Sequence, residues 1–240
     1  PGCNASSVRQ YVHNSLLATG NLKTGLTVGV VGVGHVGTLV ADDLEDAGMR
    51  VLRCDPPKGE PYTLEDIAHE ADIITFHTPL THDGDCPTFH LADKAFFNSL
   101  RKHPVVINSS RGEVVDNVAL VGALDSSQVS QAIIDTWEDE PNINLDLLER
   151  AVIATPHIAG YSADGKANAT RMSLEAVCRF ASIKADIAIY PPTLPDGYSY
   201  GEVASGPLRL YDPRVDSMHL KLSPGSFESL RGSYPLRREQ

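Results

Sequence analysis

Three kinds of side chain in this sequence could together move a proton and hold a carboxylate. His157 can exchange a proton near neutral pH, as removing a proton from an alcohol requires. Arg111 carries a planar guanidinium that can make two parallel hydrogen bonds to a substrate carboxylate. A carboxylate beside His157 would fix the imidazole tautomer and stabilise its charged form. Glu140 is the natural partner, but by spacing alone Glu138 and Asp139 remain rivals.

These residues follow predicted β-strands, which would bring them to one edge of a sheet. Apolar, branched runs predict six strands, at 26–31, 49–54, 72–76, 105–108, 131–134 and 152–154. Such runs, separated by helices, are typical of a parallel sheet covered on both faces. Ligands bind beyond the carboxyl ends of the strands in such sheets. The polar clusters after the last four strands are therefore expected to converge, at 77–80, 109–112, 135–141 and 155–161.

A glycine-rich turn joins the first predicted strand to a helix. Gly32, Gly34 and Gly37 have the spacing G-x-G-x-x-G directly after the run 26–31. Gly32 permits the tight turn, Gly34 lets a pyrophosphate approach the backbone, and Gly37 lets the helix pack on the strand. The helix N-terminus offers free N–H groups to the phosphates. The fold class is therefore α/β, a Rossmann-type doubly wound parallel sheet that binds a dinucleotide.

Asp55 bears on which dinucleotide is bound. It ends the second predicted strand, eighteen residues beyond Gly37, where a carboxylate can accept hydrogen bonds from the adenosine ribose. Its negative charge would repel a 2′-phosphate, so NAD is favoured over NADP as the cofactor. Lys58 lies close enough in sequence to leave NADP open, and a simple turn role for Asp55 is the structural alternative.

Composition and charge exclude several classes of protein. The net charge of −11 disfavours nucleic acid as a partner, because neutralising its phosphates requires a basic surface. No apolar run is long enough to span a bilayer, so no membrane partner is expected. The four scattered cysteines are typical of reduced thiols in a cytoplasmic enzyme. The nine histidines show no ligand-like spacing, so no metal site is predicted.

Local signals also predict where helices begin. Residues 6–17 are predicted to form an amphipathic helix that Ser6 or Ser7 caps. Thr63 is predicted to cap another helix, with Asp66 in its first turn.

The last third of the chain has a different character. A long helix is predicted from residue 164 to about residue 184. Residues 191–240 contain seven of the sixteen prolines and few long apolar runs. This C-terminal segment cannot make much core alone, and it is predicted to be an arm, a linker or part of a truncated domain.

The motifs resemble those of the D-2-hydroxyacid dehydrogenases. Three motifs carry the broad resemblance, at 31–37, at 108–112 with Val115-Asp116, and at 156–160. A narrower set resembles the subfamily that oxidises 4-phospho-D-erythronate, at 1–5, 54–57, 76–80, 135–141 and 161 with 164–167. Similarity runs from Pro1 to about residue 185, and more thinly through 206–208 to 236–239.

The resemblance implies roles for individual residues. Arg111, Glu140 and His157 match the catalytic trio of the family, which favours Glu140 over its rivals. Tyr161 matches a residue that contacts the substrate, at its phosphate, and Arg111 would hold the substrate carboxylate. Besides the three glycines, the positions that match NAD contacts are His35, Val36, Asp55, Thr78, Ser109, Ser110, Asp135 and Gly160. The implied reaction is NAD-dependent oxidation of 4-phospho-D-erythronate to 2-oxo-3-hydroxy-4-phosphobutanoate, in pyridoxal 5′-phosphate biosynthesis, by a cytoplasmic homodimer.

The resemblance also implies how the chain divides. Residues 1–20 would be the interdomain helix, a remnant of the substrate domain, and 21–160 the NAD-binding domain. Residues 161–190 would return to the substrate domain, and 191–240 would be a truncated dimerisation domain. Family members carry a segment before Pro1 that supplies half of the substrate domain. The chain is therefore expected to be a fragment in which NAD binding survives better than turnover.

Two other functions stay open at this point. One is the same chemistry on a different D-2-hydroxy acid, of the glycerate or phosphoglycerate type, because the segment before Pro1 would hold the deciding contacts. The other is a non-catalytic NAD-responsive binding module. Arg111, Glu140 and His157 together disfavour that module, because a pure binding protein does not need all three. The fold alone does not choose between these functions.

Overall fold

The computed structural model describes residues 2–201, 206–235 and 237–239. Pro1 and Leu236, which belong to two of the motifs above, lie outside the described residues, as do 202–205 and Gln240. No helix in the described ranges combines the length and the apolar character that crossing a bilayer requires.

A six-stranded, all-parallel sheet forms the centre of the molecule. Its strands are β1 (Thr27–Val31), β2 (Arg50–Cys54), β3 (Ile73–Phe76), β4 (Val105–Asn108), β5 (Gln131–Ile134) and β6 (Ile153–Ala154). They lie in the order β2-β1-β3-β4-β5-β6. This arrangement confirms the predicted doubly wound sheet. Successive connections leave in opposite directions at β1 and β3, so a crevice opens at the carboxyl ends of these two strands.

Helices cover both faces of the sheet. Their bounds are α1 (Ala5–Ala18), α2 (His35–Asp46), α3 (Leu64–Glu70), α4 (Lys94–Ser99), α5 (Asn117–Asp125), α6 (Leu145–Arg150), α7 (Ala163–Phe180), α8 (Pro207–Leu210), α9 (Pro213–Leu222) and α10 (Phe227–Gly232). Short 3-10 turns occur at Pro56–Lys58, Gly112–Val114 and Pro224–Ser226. Helices α3 to α6 bury their apolar residues on one face, and α1 and α2 on the other.

Alternate strand residues point into two separate cores, which explains why most positions of the central strands are apolar. In β3, for example, Ile74 and Phe76 join the core under α3 to α6, while Ile73 packs with α1 and α2. The same alternation holds in β4, where Val106 and Ile107 belong to different cores. A strand buried on both faces therefore has a near-continuous apolar run.

The two predictions of helix caps had opposite outcomes. Thr63 accepts the backbone N–H of Asp66, and the Asp66 carboxylate accepts the N–H of Thr63, which confirms the predicted cap. The prediction of Ser6 or Ser7 as the cap of the first helix was wrong. Asn4 occupies the N-cap position of α1, and both serines lie inside the helix. The Ser7 hydroxyl is buried and donates instead to the carbonyl of Ala159, at 3.0 Å.

The C-terminal segment packs against the sheet and adds to both cores. Tyr211 joins the core beneath α1 and α2, while Leu220 and Phe227 join the core on the other face. Helix α9 lies beside β6, where the Ser217 hydroxyl accepts the N–H of Ala154 at 3.0 Å. Residues far apart in sequence therefore meet at the last strand, next to the loop that carries His157.

Candidate active site

The glycine turn after β1 has no room for side chains at two of its three glycines. Gly32 has φ +89°, and a Cβ there would lie 2.8 Å from the backbone of His77. A Cβ on Gly37 would lie 1.9 Å from the carbonyl oxygen of Gly32, so α2 packs tightly against the turn. Gly34, by contrast, faces open space, with nothing within 4 Å of a built Cβ. The turn is therefore closely packed at Gly32 and Gly37 and open at Gly34, where a ligand can approach the backbone.

Two adjoining cavities lie along the carboxyl edge of the sheet. The first, of about 520 Å³, lies between the glycine turn, Asp55 and an apolar wall that includes Leu64 and Leu91. The second, of about 300 Å³, is lined by Arg111 and His157 among others. The segment 77–79 lines both cavities. Together they form a groove along this edge that is lined mainly by apolar residues in the first cavity and by more polar residues in the second.

Asp55 stands at the far end of this groove from His157. Its Oδ2 accepts the N–H of Val33 at 2.8 Å, which ties the end of β2 to the glycine turn. The ammonium of Lys58 donates to the carbonyl of the same Val33, at 2.5 Å. In the described part of the chain, the other oxygen of Asp55 has no hydrogen-bond partner, so it can accept a ribose hydroxyl. Lys58 is already engaged by the backbone.

Two buried hydroxyls in the second cavity have no partner among the described residues. They are Thr78 Oγ1 and Ser109 Oγ, and both residues line the cavity. Buried polar atoms are almost always hydrogen-bonded, so such atoms point to a ligand that supplies the missing partners. The hydroxyls and carboxamide of NAD are groups of this kind. Together with the open side at Gly34, these hydroxyls fit a bound dinucleotide.

His157 and Glu140 form a close pair at the second cavity. The imidazole Nδ1 lies 2.8 Å from Glu140 Oε2 and 3.1 Å from Oε1. Burial lowers the pKa of His157, but the hydrogen bond that its ring donates to Glu140 and the charges of Asp135 and Glu140 outweigh this effect, so the pKa is raised overall. Because Nδ1 is held by the carboxylate, Nε2 is the ring nitrogen left to exchange a proton.

The rival carboxylates lie elsewhere. Glu138 Oε1 is 2.6 Å from His90 Nε2, and its Oε2 accepts the N–H of Asn117. Asp139 is exposed. The structure therefore brings Glu140 to His157 and directs Glu138 toward a second histidine.

Arg111 follows β4 and lines the same cavity as His157. Its loop is held by Asn108, whose amide donates to the Arg111 carbonyl at 2.8 Å and whose Oδ1 accepts the Ser110 hydroxyl at 2.9 Å. A Cβ on Gly112 would lie 1.9 Å from the carbonyl oxygen of Trp137. This close approach packs the Arg111 loop directly against the loop that leads to Glu140.

Comparison with known proteins identifies the family. Residues 5–159 match the sequence profile of the D-isomer specific 2-hydroxyacid dehydrogenase, NAD binding domain. The chain belongs to the D-isomer specific 2-hydroxyacid dehydrogenases. The match also confirms NAD as the cofactor expected from the glycine turn and Asp55.

Relatives and solved structures agree with this assignment. The erythronate-4-phosphate dehydrogenase of Bacteroides fragilis is 52% identical over 254 residues, covering 100% of this chain and 72% of the relative. That of Cronobacter sakazakii is 41% identical over 263 residues, covering 100% and 69%. An NAD complex of the D-isomer specific 2-hydroxyacid dehydrogenase from Lactobacillus delbrueckii ssp. bulgaricus superposes with a TM-score of 0.58 at 29% identity, over 68% of this chain and 56% of that one.

The fold match extends to a more distant member. The NAD-dependent formate dehydrogenase from Staphylococcus aureus, solved with NAD, superposes with a TM-score of 0.62 at 24% identity. It covers 75% of this chain, and this chain spans 63% of its length. The chain therefore covers less than two thirds of these solved dehydrogenases.

Asp135, a member of the predicted cofactor set, is a buried carboxylate. Its Oδ1 accepts the Thr155 hydroxyl and the N–H of Ile158, at 2.6 and 2.8 Å, and its Oδ2 accepts the N–H of Ala159 at 2.9 Å. Burial raises the pKa of its carboxyl, although His157 and these hydrogen bonds act the other way. Asp135 lines the second cavity and also fixes the loop that follows His157.

The remaining predicted site residues differ in how close they come to the groove. Val36, Gly160 and Tyr161 line the second cavity. A Cβ on Gly160 would lie 2.4 Å from the side-chain amide nitrogen of Asn4, so the residue before α1 packs closely against this loop. His35 begins α2 with an exposed side chain and lines neither of these two cavities.

Three residues with no predicted role turn out to support this site. His77 lines both cavities, and burial lowers its pKa to about 3, so its ring is neutral. Arg237 is fully buried and donates to the carbonyls of Ile158 and Ala159, at 3.2 and 3.3 Å. Arg231 Nε donates to the Tyr161 hydroxyl, at 3.2 Å. Of the three, only His77 could have been found from the sequence, because it directly follows β3. The two arginines lie in the C-terminal segment, far in sequence from the residues that they contact.

Within residues 2–201, 206–235 and 237–239, no group of three or more histidine, cysteine or acidic side chains is placed so that it could hold a metal ion.

Proposed function

We propose that this protein oxidises 4-phospho-D-erythronate to 2-oxo-3-hydroxy-4-phosphobutanoate with NAD, in pyridoxal 5′-phosphate biosynthesis. The observation that carries the proposal is the 2.8 Å contact between His157 and Glu140, with His157 lining the same cavity as Arg111. Relatives at 40–52% identity that bear the name erythronate-4-phosphate dehydrogenase favour this substrate over a glycerate or phosphoglycerate. An imidazole base, its carboxylate and a carboxylate-binding arginine also favour an enzyme over a binding module.

The roles of the residues follow from their chemistry. NAD, when bound, accepts the hydride from C2 of the hydroxy acid. His157 takes the 2-hydroxyl proton at Nε2, because its Nδ1 is held by Glu140. Glu140 stabilises the imidazolium that results, and Arg111 holds the substrate carboxylate. Holding the reacting groups in position in this way can lower a barrier by roughly 7–11 kcal/mol in well-oriented cases.

The pKa shift sets the direction of the pH dependence. Oxidation requires the neutral imidazole as base, and the surroundings of His157 raise its pKa. The rate of oxidation is therefore expected to rise as the pH passes upward through this raised pKa, and to fall below it.

The proposal extends to the organisation of the protein. The division predicted from the sequence is retained, with 21–160 as the NAD-binding domain between a substrate-domain helix at 1–20 and the segments 161–190 and 191–240. In support, α1 carries Val8 into the lining of the second cavity, as expected of a helix at a domain boundary. We also infer a cytoplasmic homodimer, as the resemblance implies.

The test compares substrates and one variant. In the full-length protein, NADH absorbance is followed with 4-phospho-D-erythronate, D-glycerate and 3-phospho-D-glycerate, and NAD binding is measured by calorimetry. We expect turnover with the first acid, its loss in His157→Ala, and NAD affinity in that variant close to that of the parent. Normal turnover by His157→Ala would refute the role of this imidazole as base. Turnover only with a glycerate would refute the substrate.

A further inference from the structure

Arg231, in α10, is a half-buried arginine with no close carboxylate partner among the described residues. The other half-buried arginines in those ranges each contact a carboxylate oxygen at 2.6 to 2.9 Å, namely Arg9, Arg53, Arg171 and Arg238. Arg231 approaches only Glu140, whose Oε2 lies 4.0 Å from Nη1 and already binds His157. Arg231 is thus a cation partly removed from water whose charge is not directly paired.

Within the described ranges, the side chain of Arg231 donates one hydrogen bond, to a residue that lines the catalytic cavity. Its Nε donates to Tyr161 Oη at 3.2 Å, and Tyr161 lines the cavity with Arg111 and His157. The contact leaves Nη1 and Nη2 without a hydrogen-bonded acceptor in the described part of the chain. It also leaves the Tyr161 O–H proton to be donated elsewhere, because the phenol oxygen is the acceptor in this bond.

A second positive charge lies near the same ring. Lys166 Nζ is 5.4 Å from the Tyr161 ring centroid, and the Arg231 guanidinium carbon is 5.8 Å from it. Two cations and a phenol O–H around one ring favour an anion, and the planar fork of an arginine matches the oxygens of a phosphate group. A phosphorylated hydroxy acid has two anionic groups, and Arg111 is suited to only one of them.

We propose that Arg231 binds the phosphate of the substrate beside Tyr161 and thereby selects a phosphorylated 2-hydroxy acid over its unphosphorylated analogue. This inference rests on the proposed function for the reaction itself. It assigns to the C-terminal segment a direct part in substrate recognition, in addition to the roles of Arg111 and of the His157–Glu140 pair.

A different role for Arg231 leads to different results. If its charge acted only on Glu140 and His157, removing it would change the pH profile of turnover and affect phosphorylated and unphosphorylated acids alike. A phosphate ligand instead changes the affinity for the phosphorylated acid alone. Discrimination between two acids that differ by one phosphate is therefore the deciding measurement.

The experiment titrates 4-phospho-D-erythronate and D-erythronate into the NAD-saturated protein by calorimetry. We expect Arg231→Gln to weaken binding of the phosphorylated acid by about 10- to 100-fold, the range for hydrogen bonds to a charged group, and to leave D-erythronate unchanged. Arg231→Lys keeps the charge without the fork and should lose less. The matched control is Arg179→Gln, an exposed arginine of α7, which should behave as the parent.

Each outcome bears on a distinct claim. If Arg231→Gln retains the parent's preference for the phosphorylated acid, the subsite is refuted while the proposed function stands. If the parent neither prefers that acid nor forms NADH from it, the proposed function is refuted and the subsite with it. NAD affinity in the same samples reports whether each variant folds. Should Arg231→Gln fail to fold, Tyr161→Phe decides, because losing its hydroxyl must also reduce the preference.

Discussion

Replacing Arg237 tests how the C-terminal segment supports the active-site loop. The guanidinium is fully buried, donates to the Ser7 carbonyl at 2.7 Å and to Gln10 Oε1 at 3.0 Å, and shares Nη1 between the carbonyls of Ile158 and Ala159. Asp135 accepts the N–H groups of the same two loop residues. The loop after His157 is therefore held on its N–H side by Asp135 and on its carbonyl side by Arg237.

The cost of Arg237→Met follows from these contacts. Hydrogen bonds to a charged group contribute about 1.5–3 kcal/mol each, and two of the contacts are short and unshared. The third contact, which Ile158 and Ala159 share, is taken to be offset because the variant no longer buries a charge. Losing the two unshared hydrogen bonds should then destabilise the fold by about 3–5 kcal/mol. With a urea m value of about 2–3 kcal/mol/M, the unfolding midpoint should fall by about 1–2 M.

The neighbouring arginine is the control for this prediction. Arg238 pairs with Asp164 at 2.8 Å near the surface, so Arg238→Met should cost only about 1 kcal/mol or less. Urea unfolding followed by far-UV circular dichroism measures both variants under the same conditions. Equal, small midpoint shifts for the two variants would show that the buried guanidinium does not hold the loop, and would refute the reasoning.

Two further predictions concern the base and the cofactor. Glu140→Gln removes the charge that helps to raise the pKa of His157 and weakens the hydrogen bond to its ring, so the acidic limb of the pH profile of kcat/KM should move to lower pH, and the plateau should fall by about 10²–10⁴-fold; an unmoved limb contradicts the pairing. Asp55→Ala removes both the ribose acceptor and the bond to Val33, so calorimetry should show NAD affinity reduced by about 10- to 100-fold. Asp55→Asn can keep the hydrogen bond to Val33 without the charge, so this variant should lose less NAD affinity and bind NADP relatively better. Equal affinity for NAD and NADP in the parent protein would contradict the idea that the charge of Asp55 selects NAD.

The sheet and the cofactor turn could be predicted because their signals are local. A strand buried on both faces is apolar at most of its positions, so the six apolar runs identified the six strands, four of which begin one residue later than predicted. The turn requires glycine at Gly32 and Gly37, where the backbone approaches too closely for any side chain. The Thr63 cap involves a residue only three positions away, so its partner is visible in the sequence.

Contacts between distant segments could not be predicted in the same way. Ser7 looks like a helix cap, but its hydroxyl bonds to Ala159, which is 152 residues away. Spacing alone did not show whether Glu138 or Glu140 pairs with His157. The close approach of Gly112 to Trp137 packs their two loops together. In the folded chain, Glu138 contacts His90 and Glu140 contacts His157.

The sequence by itself determined the strands, their parallel arrangement and the edge of the sheet at which polar residues lie. It could do so because backbone geometry and apolar periodicity act within a few residues. Only the tertiary structure decided which side chains meet at that edge. Arg231 and Arg237 lie 70 or more residues from the loop they contact, in a segment whose own sequence predicts little core. Their role depends on the packing of α9 and α10 against the sheet, which is a property of the whole fold.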